Sequence, residues 1–130
     1  MGNLCATGVQ HIGIPTNNMN SAIEFYESLG FTIAYETVLE KESCRVCFFK
    51  LGSLCIEAYE NHQAIMKPGA IDHITIDTSD VEAAFEFARE KGLKLVNTEI
   101  QSFPEFWANG IRFFMIEGPN CELIEICQIL

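Results

Sequence analysis

The chain has 130 residues, enough to bury a hydrophobic core as a single domain. Its 18 acidic and eight basic residues give a formal charge of −10, which repels phosphate backbones and argues against nucleic-acid binding. No apolar run approaches the roughly 20 residues that span a membrane, and the first residues, MGNLCATG, do not resemble a signal peptide. We therefore expect a cytoplasmic protein that binds neither nucleic acid nor membranes.

The chain contains an internal repeat in which each copy opens on a histidine. VQHIGIPTNN at 9–18 has the same layout as IDHITIDTSD at 71–80, with His73 standing 62 residues after His11. Further identities hold the register, at offsets that grow to 65 and 68: Ala22 with Ala84, Phe25 with Phe87, Gly30 with Gly92, Phe49 with Phe114, and Glu57 with Glu125. We predict one domain over 1–130, with a first repeat at about 9–60 and a second at about 70–128. HQAIMKPG at 62–69 is the only linker-like stretch.

Each copy is predicted to form a strand, a helix and three further strands. The first helix is capped by Asn17 or Asn18 and stopped by Gly30. In the second copy a capping box, Ser79-x-x-Glu82, predicts a helix over about 80–91 that Gly92 stops. The runs RVCFFKL, SLCIEAY, IRFFMI and LIEIC are rich in β-branched and aromatic residues and are typical of strands. The fold class is α+β.

The six cysteines lie mostly in apolar, strand-like runs, where a free thiol behaves as a small hydrophobic group. We expect them to be reduced. Cys44-Arg45-Val46-Cys47 matches C-x-x-C, but no second pair follows, and residues three apart on a strand point to opposite faces. The motif is therefore a weak indication of zinc or redox chemistry.

Strand periodicity sorts the side chains into two faces. Successive residues of a strand alternate, so the isoleucines beside each histidine lie on one face and the histidine on the other. By the same count Glu57, Tyr59 and Glu125 share the histidine face, whereas Glu122 is expected to point to solvent beside the GPNC turn. We predict that the isoleucine faces pack beneath the helices.

The polar faces predict a metal site. If the two copies are related by a pseudo-twofold axis, then His11, Glu57, His73 and Glu125 converge on one point. Two carboxylates placed together repel each other unless a cation lies between them. A set of two nitrogen and two oxygen ligands suits divalent Zn, Ni, Co, Fe or Mn. Solitary strand histidines and glutamates usually have structural roles, but a matched pair of each is harder to explain in that way.

The sequence resembles the vicinal oxygen chelate superfamily, which contains glyoxalase I, methylmalonyl-CoA epimerase, extradiol dioxygenases, fosfomycin-resistance thiol transferases and bleomycin-binding proteins. The resemblance runs from Val9 to Gln128 and rests on HIGIPTNNMNSAIEFYESLGF, DHITIDTSD and GPNCELIEICQ. It implies paired βαβββ modules that form a curled mixed sheet around a metal cleft, with helices outside and often a homodimer.

A full His, Glu, His, Glu set is most similar to glyoxalase I of the bacterial type. By this resemblance Glu125 is the leading catalytic base, Glu57 its counterpart, and Asn61 matches a position that contacts glutathione. The arginine that glyoxalase I carries in its first strand is absent from HIGIP. Arg45 and Arg112 are the candidates to replace it, although each is better explained as a solvated charge at a strand end.

Three aromatic residues are further candidates for substrate contact. Tyr59 lies on the predicted cleft face, and Phe106 and Trp107 lie in FPEFWANG, a loop after the second helix. Exposed loop aromatics often bind ligands, although they also pack at dimer interfaces. His62 has no partner in the repeat and is expected at the surface.

Two classes of function remain. The first is a metal-dependent lyase or isomerase of glyoxalase I type, acting on a small α-oxo or hemithioacetal substrate, with an epimerase or thiol transferase as a related enzyme. The second is a metal-free module that sequesters a cationic drug of the bleomycin kind, which the acidic charge favours. Fold and ligand set alone do not name the substrate.

Overall fold

The computed structural model describes residues 3–130, which form an α+β fold of two helices and two open sheets. The chain divides into two compact units, one ending at Ala64 and the other running from Ile65 to Leu130. This boundary falls within the predicted linker at 62–69. Among the described residues, no helix is long and apolar enough to cross a membrane.

The first unit has the predicted order of one strand, one helix and three strands. In chain order its elements are β1 (Ile12–Pro15), α1 (Met19–Ser28), β2 (Thr32–Leu39), a short 3-10 turn (Glu40–Glu42), β3 (Cys44–Leu51) and β4 (Leu54–Tyr59). The sheet order is β1-β4-β3-β2, in which only β1 and β4 are parallel. The strand that carries Glu57 is thus hydrogen-bonded to the strand that follows His11.

Helix α1 forms where its caps and its apolar stripe predict. Asn18 is the N-cap, and its side chain accepts a hydrogen bond from Ser21 N at 3.1 Å. Gly30, with φ of 98°, takes the left-handed conformation that ends the helix. Tyr26 is fully buried, and its ring lies 5.3 Å from that of Phe49 on β3. The apolar face of the helix therefore packs on the isoleucine side of the sheet, as predicted.

The second unit repeats this plan with one difference. Its elements are β5 (His73–Asp77), α2 (Val81–Lys91), β6 (Lys94–Leu95), β7 (Gln101–Phe103), β8 (Ile111–Glu117) and β9 (Leu123–Ile129). The sheet order is β5-β9-β8-β6, and β7 also pairs with β8. The sequence predicts three strands after the helix, and the first of these is divided into β6 and β7. Between them, the Asn97 side chain accepts a hydrogen bond from Met115 N at 2.8 Å.

The predicted capping box of α2 was wrong by one residue. The N-cap is Asp80, not Ser79, and the Asp80 side chain accepts a hydrogen bond from Ala83 N at 3.0 Å. A carboxylate caps a helix as well as a hydroxyl does, so the local sequence offered two adjacent candidates. Gly92 ends the helix in the left-handed conformation, with φ of 75°, as predicted.

Each helix is tied by an equivalent hydrogen bond to the chain segment of its own unit that carries Glu57 or Glu125. Met19 N donates to Glu60 Oε2 at 2.5 Å, and Val81 N donates to Gln128 Oε1 at 3.0 Å. These acceptors stand three residues after Glu57 and Glu125, so the repeat extends to the contact between helix and strand. Each bond satisfies an N–H group that a helix N-terminus leaves without a partner in the helix.

Candidate metal centre and adjoining pocket

The first unit brings His11 and Glu57 together. Their closest side-chain atoms, Nε2 and Oε1, are 3.5 Å apart, and both side chains are roughly one-third exposed. Glu57 lies in register with Gly13 of β1, and a Cβ atom at that glycine would lie 3.6 Å from Glu57 Oε1. Because Gly13 has no side chain, the Glu57 carboxylate is not covered from the side of β1. The His11 ring also meets the Phe48 ring edge-on, with 5.5 Å between their centroids.

The second unit brings His73 and Glu125 together at the same separation. His73 Nε2 lies 3.5 Å from Glu125 Oε2, and the Glu125 side chain is only 15% exposed. Strands β5 and β9 run parallel with Thr75 opposite Glu125, which places the histidine and the glutamate on one face. The fully buried Ile124 lies on the other face. The predicted alternation of faces is confirmed in this sheet.

The other nitrogen of each histidine is held by the residue that precedes it. His11 Nδ1 lies 3.0 Å from Gln10 Oε1, and His73 Nδ1 lies 2.9 Å from Asp72 Oδ2. An amide oxygen and a carboxylate oxygen can only accept, so in the neutral imidazole the hydrogen is on Nδ1. Nε2 then directs its lone pair toward the glutamate side.

The donor atoms of each His–Glu pair, and the distance between them, suit a metal ion. Metal-binding histidines usually donate their second N–H to a carboxylate or a carbonyl, which orients the ring. Two donor atoms that share one ion at about 2.1 Å lie about 3.0–3.5 Å apart, close to the separation in both pairs. Among residues 3–130, no group of three or more His, Cys, Asp or Glu side chains is arranged to hold a metal ion. Each pair is a candidate half-site, and both metal binding and the convergence of all four residues remain predictions.

A cavity of about 610 Å³ adjoins the His73–Glu125 pair within the second unit. Its polar floor comprises His73, Thr75, Asp77 and Glu125, and its walls are apolar and largely aromatic: Phe103, Phe106, Trp107 and Phe113. Cavities of this size and composition are typical of small-molecule sites. Burial, followed by the charge of Glu125, raises the pKa of the Cys127 thiol, which also lines the cavity.

The predicted aromatic residues Phe106 and Trp107 therefore line a pocket, although their contact with a substrate remains a prediction. They lie on the loop between β7 and β8 and are 50% and 73% exposed. Phe103 stacks between Phe106 and Phe113, with ring centroids 4.9 and 5.3 Å away. Gly110, with φ of 88°, completes the return of the loop to β8.

Asn61 and Tyr59 lie in the first unit, and their role in substrate binding stays a prediction. Asn61 Oδ1 accepts a hydrogen bond from Gln63 N at 3.0 Å, which shapes the turn after β4. The Tyr59 ring is half-buried, and its Cε1 atom would lie 3.4 Å from a Cβ atom at Gly13. Tyr59 thus packs over the β1 glycine beside Glu57. His62 is exposed, as predicted.

Both arginines considered as replacements for the missing first-strand arginine are engaged elsewhere. Arg45 Nη1 donates to Asn20 Oδ1 at 2.9 Å, and Arg112 Nη2 lies 3.0 Å from Glu82 Oε1 at the start of α2. Arg112 alternates with the pocket-lining Ile111 and Phe113 along β8, so it lies on the helix face of that sheet. No lysine or arginine lines the described cavity.

Sequence reasoning missed several residues of the site. Gln10 and Asp72 each precede a repeated histidine. Because both residues carry a side-chain oxygen at the same position of the repeat, the sequence alone could have identified them. Phe113 lies opposite Cys127 in the sheet and shares the face of Glu125, so counting along β8 would have found it, whereas strand parity in β9 already assigns Cys127 to that face. Glu122 was expected to point to solvent, but its carboxylate accepts a hydrogen bond from Asn120 N at 2.7 Å and braces the turn before β9.

The two repeated units and their half-sites define a protein built from βαβββ-type modules. The model of the Glyoxalase/Bleomycin resistance protein/Dioxygenase superfamily matches residues 8–126, and the chain belongs to this superfamily. A Bacillus subtilis relative, the uncharacterized protein YwbC, is 30% identical over 95% of this chain and 98% of its own length.

Solved structures share the fold. A glyoxalase family protein from Enterococcus faecalis has a TM-score of 0.79 at 20% identity, covering 93% of this chain and 97% of the other. The fosfomycin resistance protein FosX from Listeria monocytogenes, in complex with Mn(II) and sulfate, has a TM-score of 0.74 at 15% identity. That match covers 96% of this chain and 94% of FosX.

Proposed function

We propose that this protein is a metal-dependent lyase or isomerase of glyoxalase I type that moves a proton next to the carbonyl of a small α-oxo or hemithioacetal substrate. The observation that carries the proposal is the pair of equivalent His–Glu contacts, each with Nε2 and a carboxylate oxygen 3.5 Å apart. In both copies the preceding residue holds the histidine through Nδ1, which leaves Nε2 as the atom that can bind a metal and supports the same function.

The proposed ligands are His11 and His73 through Nε2, together with Glu57 and Glu125. A bound divalent ion would act as a Lewis acid that polarises the substrate carbonyl and acidifies the adjacent C–H bond. The metal is Ni, Zn, Co, Fe or Mn; the Mn(II) complex of FosX shows that one member of this fold takes such an ion.

The proton is moved by a carboxylate. In a hemithioacetal, Glu125 Oε2 would take the proton from the carbon that bears the hydroxyl and return it to the adjacent carbonyl carbon, while the hydroxyl proton passes to the former carbonyl oxygen, so that no atom is gained or lost. The Glu125 side chain is 15% exposed, so little water competes for the proton in transit. Glu57 is the counterpart of Glu125 on the opposite side of the site. Gln10 orients the imidazole of His11, and Asp72 orients that of His73.

The partners in this proposal are a small-molecule substrate, with a glutathione or other thiol adduct among the candidates, and a second copy of the chain in a cytoplasmic homodimer. Nucleic acids and membranes are not proposed as partners. Within the superfamily, an epimerase or a thiol transferase would use similar ligands.

A metal-free module that sequesters a cationic drug is the second candidate. The observation that favours it is the cavity itself, whose lining has two carboxylates and aromatic side chains but no lysine or arginine. Aromatic faces and carboxylates both attract cations. In this case the histidines would have no ligand role.

The test is the metal content of untagged protein purified without chelators. We expect near-stoichiometric Ni, Zn, Co, Fe or Mn in the wild type and loss of most of it in His73→Ala and Glu125→Gln. His62→Ala and Glu86→Gln are matched controls, since both residues are exposed and lie outside the half-sites. Loaded protein is then assayed with hemithioacetals. Wild type that stays empty after incubation with these metals contradicts the enzyme and favours the sequestering module.

A further inference from the structure

The aromatic wall of the second unit presents flat apolar surface toward the cavity. Phe106, Phe103 and Phe113 form a three-ring stack with interplanar angles of 24° and 18°. The stack runs from the half-exposed Phe106 to the buried Phe113. Trp107 stands outside the stack and is 73% exposed, yet it lines the same cavity. A planar ring entering the cavity would cover aromatic surface that otherwise faces water.

The charge of the lining discriminates among ligands. Asp77 and Glu125 contribute carboxylates, and no lysine or arginine offsets them in the described lining. Arg112 is turned to the helix face and paired with Glu82. A phosphonate or carboxylate entering here would lose hydration and find no counter-ion.

We propose that this cavity is the specificity pocket for a planar, apolar ring, and that the bound molecule carries no negative charge other than oxygens that chelate a metal. Among the substrates of the proposed function, this selects α-oxo compounds that bear an aromatic group and disfavours glutathione adducts and phosphonates. The link to catalysis rests on the proposed function, but the ring pocket stands on the second unit alone.

The proposal is tested by calorimetry on metal-free protein with three matched probes: 2-naphthylmethanol, (2-naphthylmethyl)trimethylammonium and 2-naphthylmethylphosphonate. We expect the alcohol and the cation to bind and the phosphonate to bind at least about tenfold more weakly. Tetramethylammonium, which lacks the ring, should not bind detectably. Asp77→Asn should reduce the gap between cation and phosphonate and leave the binding of the alcohol unchanged.

Substitutions in the aromatic wall test whether the probes bind in this cavity. Trp107→Ala and Phe103→Ala should each weaken binding of the alcohol by about 2–12-fold, the range for loss of one aromatic contact. Trp107→Phe keeps a ring and should retain most of the affinity. Phe87→Ala is the matched control, because Phe87 is 48% exposed on α2 and does not line the cavity. Urea unfolding of each variant verifies that it is folded.

The proposal would be overturned by failure of all three probes to bind, by phosphonate binding as tight as that of the alcohol, or by equal losses in Phe87→Ala and Trp107→Ala. A shift of oligomeric state in Trp107→Ala without any change in probe binding also overturns it, since the aromatic wall would then be an interface. Because the probes are tested without metal, failure of the ring pocket and failure of the metal centre are separate outcomes.

Discussion

The Asp72 carboxylate accepts a hydrogen bond from the His73 imidazole, with 2.9 Å between Oδ2 and Nδ1. Gln10 holds His11 in the same way. If Nε2 is the metal-binding atom, then Asp72→Ala and Gln10→Ala should each lower metal affinity by about 10–100-fold, because the ring loses its orienting partner. Competition with a chromophoric chelator measures this, with Glu86→Ala as the control. Unchanged affinity in both variants would show that these contacts do not orient a ligand.

The bonds that join each helix to the glutamate-bearing strand should contribute to stability. Gln128→Leu leaves Val81 N without its acceptor, and Val81 is fully buried, so we expect a loss of about 1–3 kcal/mol in the free energy of unfolding. Glu60→Leu should act similarly on Met19 N, whereas Glu60→Gln keeps an acceptor oxygen and should cost less. Urea denaturation measures all three. Gln63→Leu, at an exposed position, is the control, and an equal loss there would contradict the explanation.

Gly110 should be intolerant of a side chain. Its φ is 88°, and a Cβ atom there would lie 2.9 Å from Pro104 Cα and 3.0 Å from Phe103 O, both backbone atoms. Gly110→Ala should therefore cost about 1–3 kcal/mol of backbone strain and displace the aromatic wall, which weakens binding of the naphthyl alcohol. Gly52→Ala is the matched control, because Gly52 also has a positive φ but has open space around it. If both variants keep full probe affinity, the loop does not depend on this glycine.

The cysteines should differ widely in reactivity. All six are free, in agreement with the sequence analysis. Burial, followed by the charge of Glu36, raises the pKa of Cys47 to about 11, which leaves about one thiolate in a thousand at pH 8. Iodoacetamide at pH 8 should therefore modify the exposed Cys5 first and leave Cys47 and Cys127 intact until urea is added. Peptide mass spectrometry follows each site. Early modification of Cys47 would contradict the burial of β3.

Local periodicity was sufficient for several features of the fold. The faces of β4, β5 and β9 follow from the two-residue alternation of any strand, so Glu57, His73 and Glu125 could be assigned to faces before the structure was known. Gly30 and Gly92 were identified as helix ends because glycine takes the left-handed conformation without strain. The position of the α2 cap was not determined in this way, because Ser79 and Asp80 both form good caps.

The sequence by itself determined the repeat, the helix and strand types, the free cysteines and the strand faces that carry the two histidines and two glutamates, because these depend on short-range periodicity and on matching positions. Only the tertiary structure decided which partners hold the histidines, that Arg112 pairs with Glu82, and that Phe103 stacks between Phe106 and Phe113. These contacts depend on side-chain directions and on loop paths between strands. A chain can place a residue on a face by local geometry, but its neighbours across the sheet are chosen by packing.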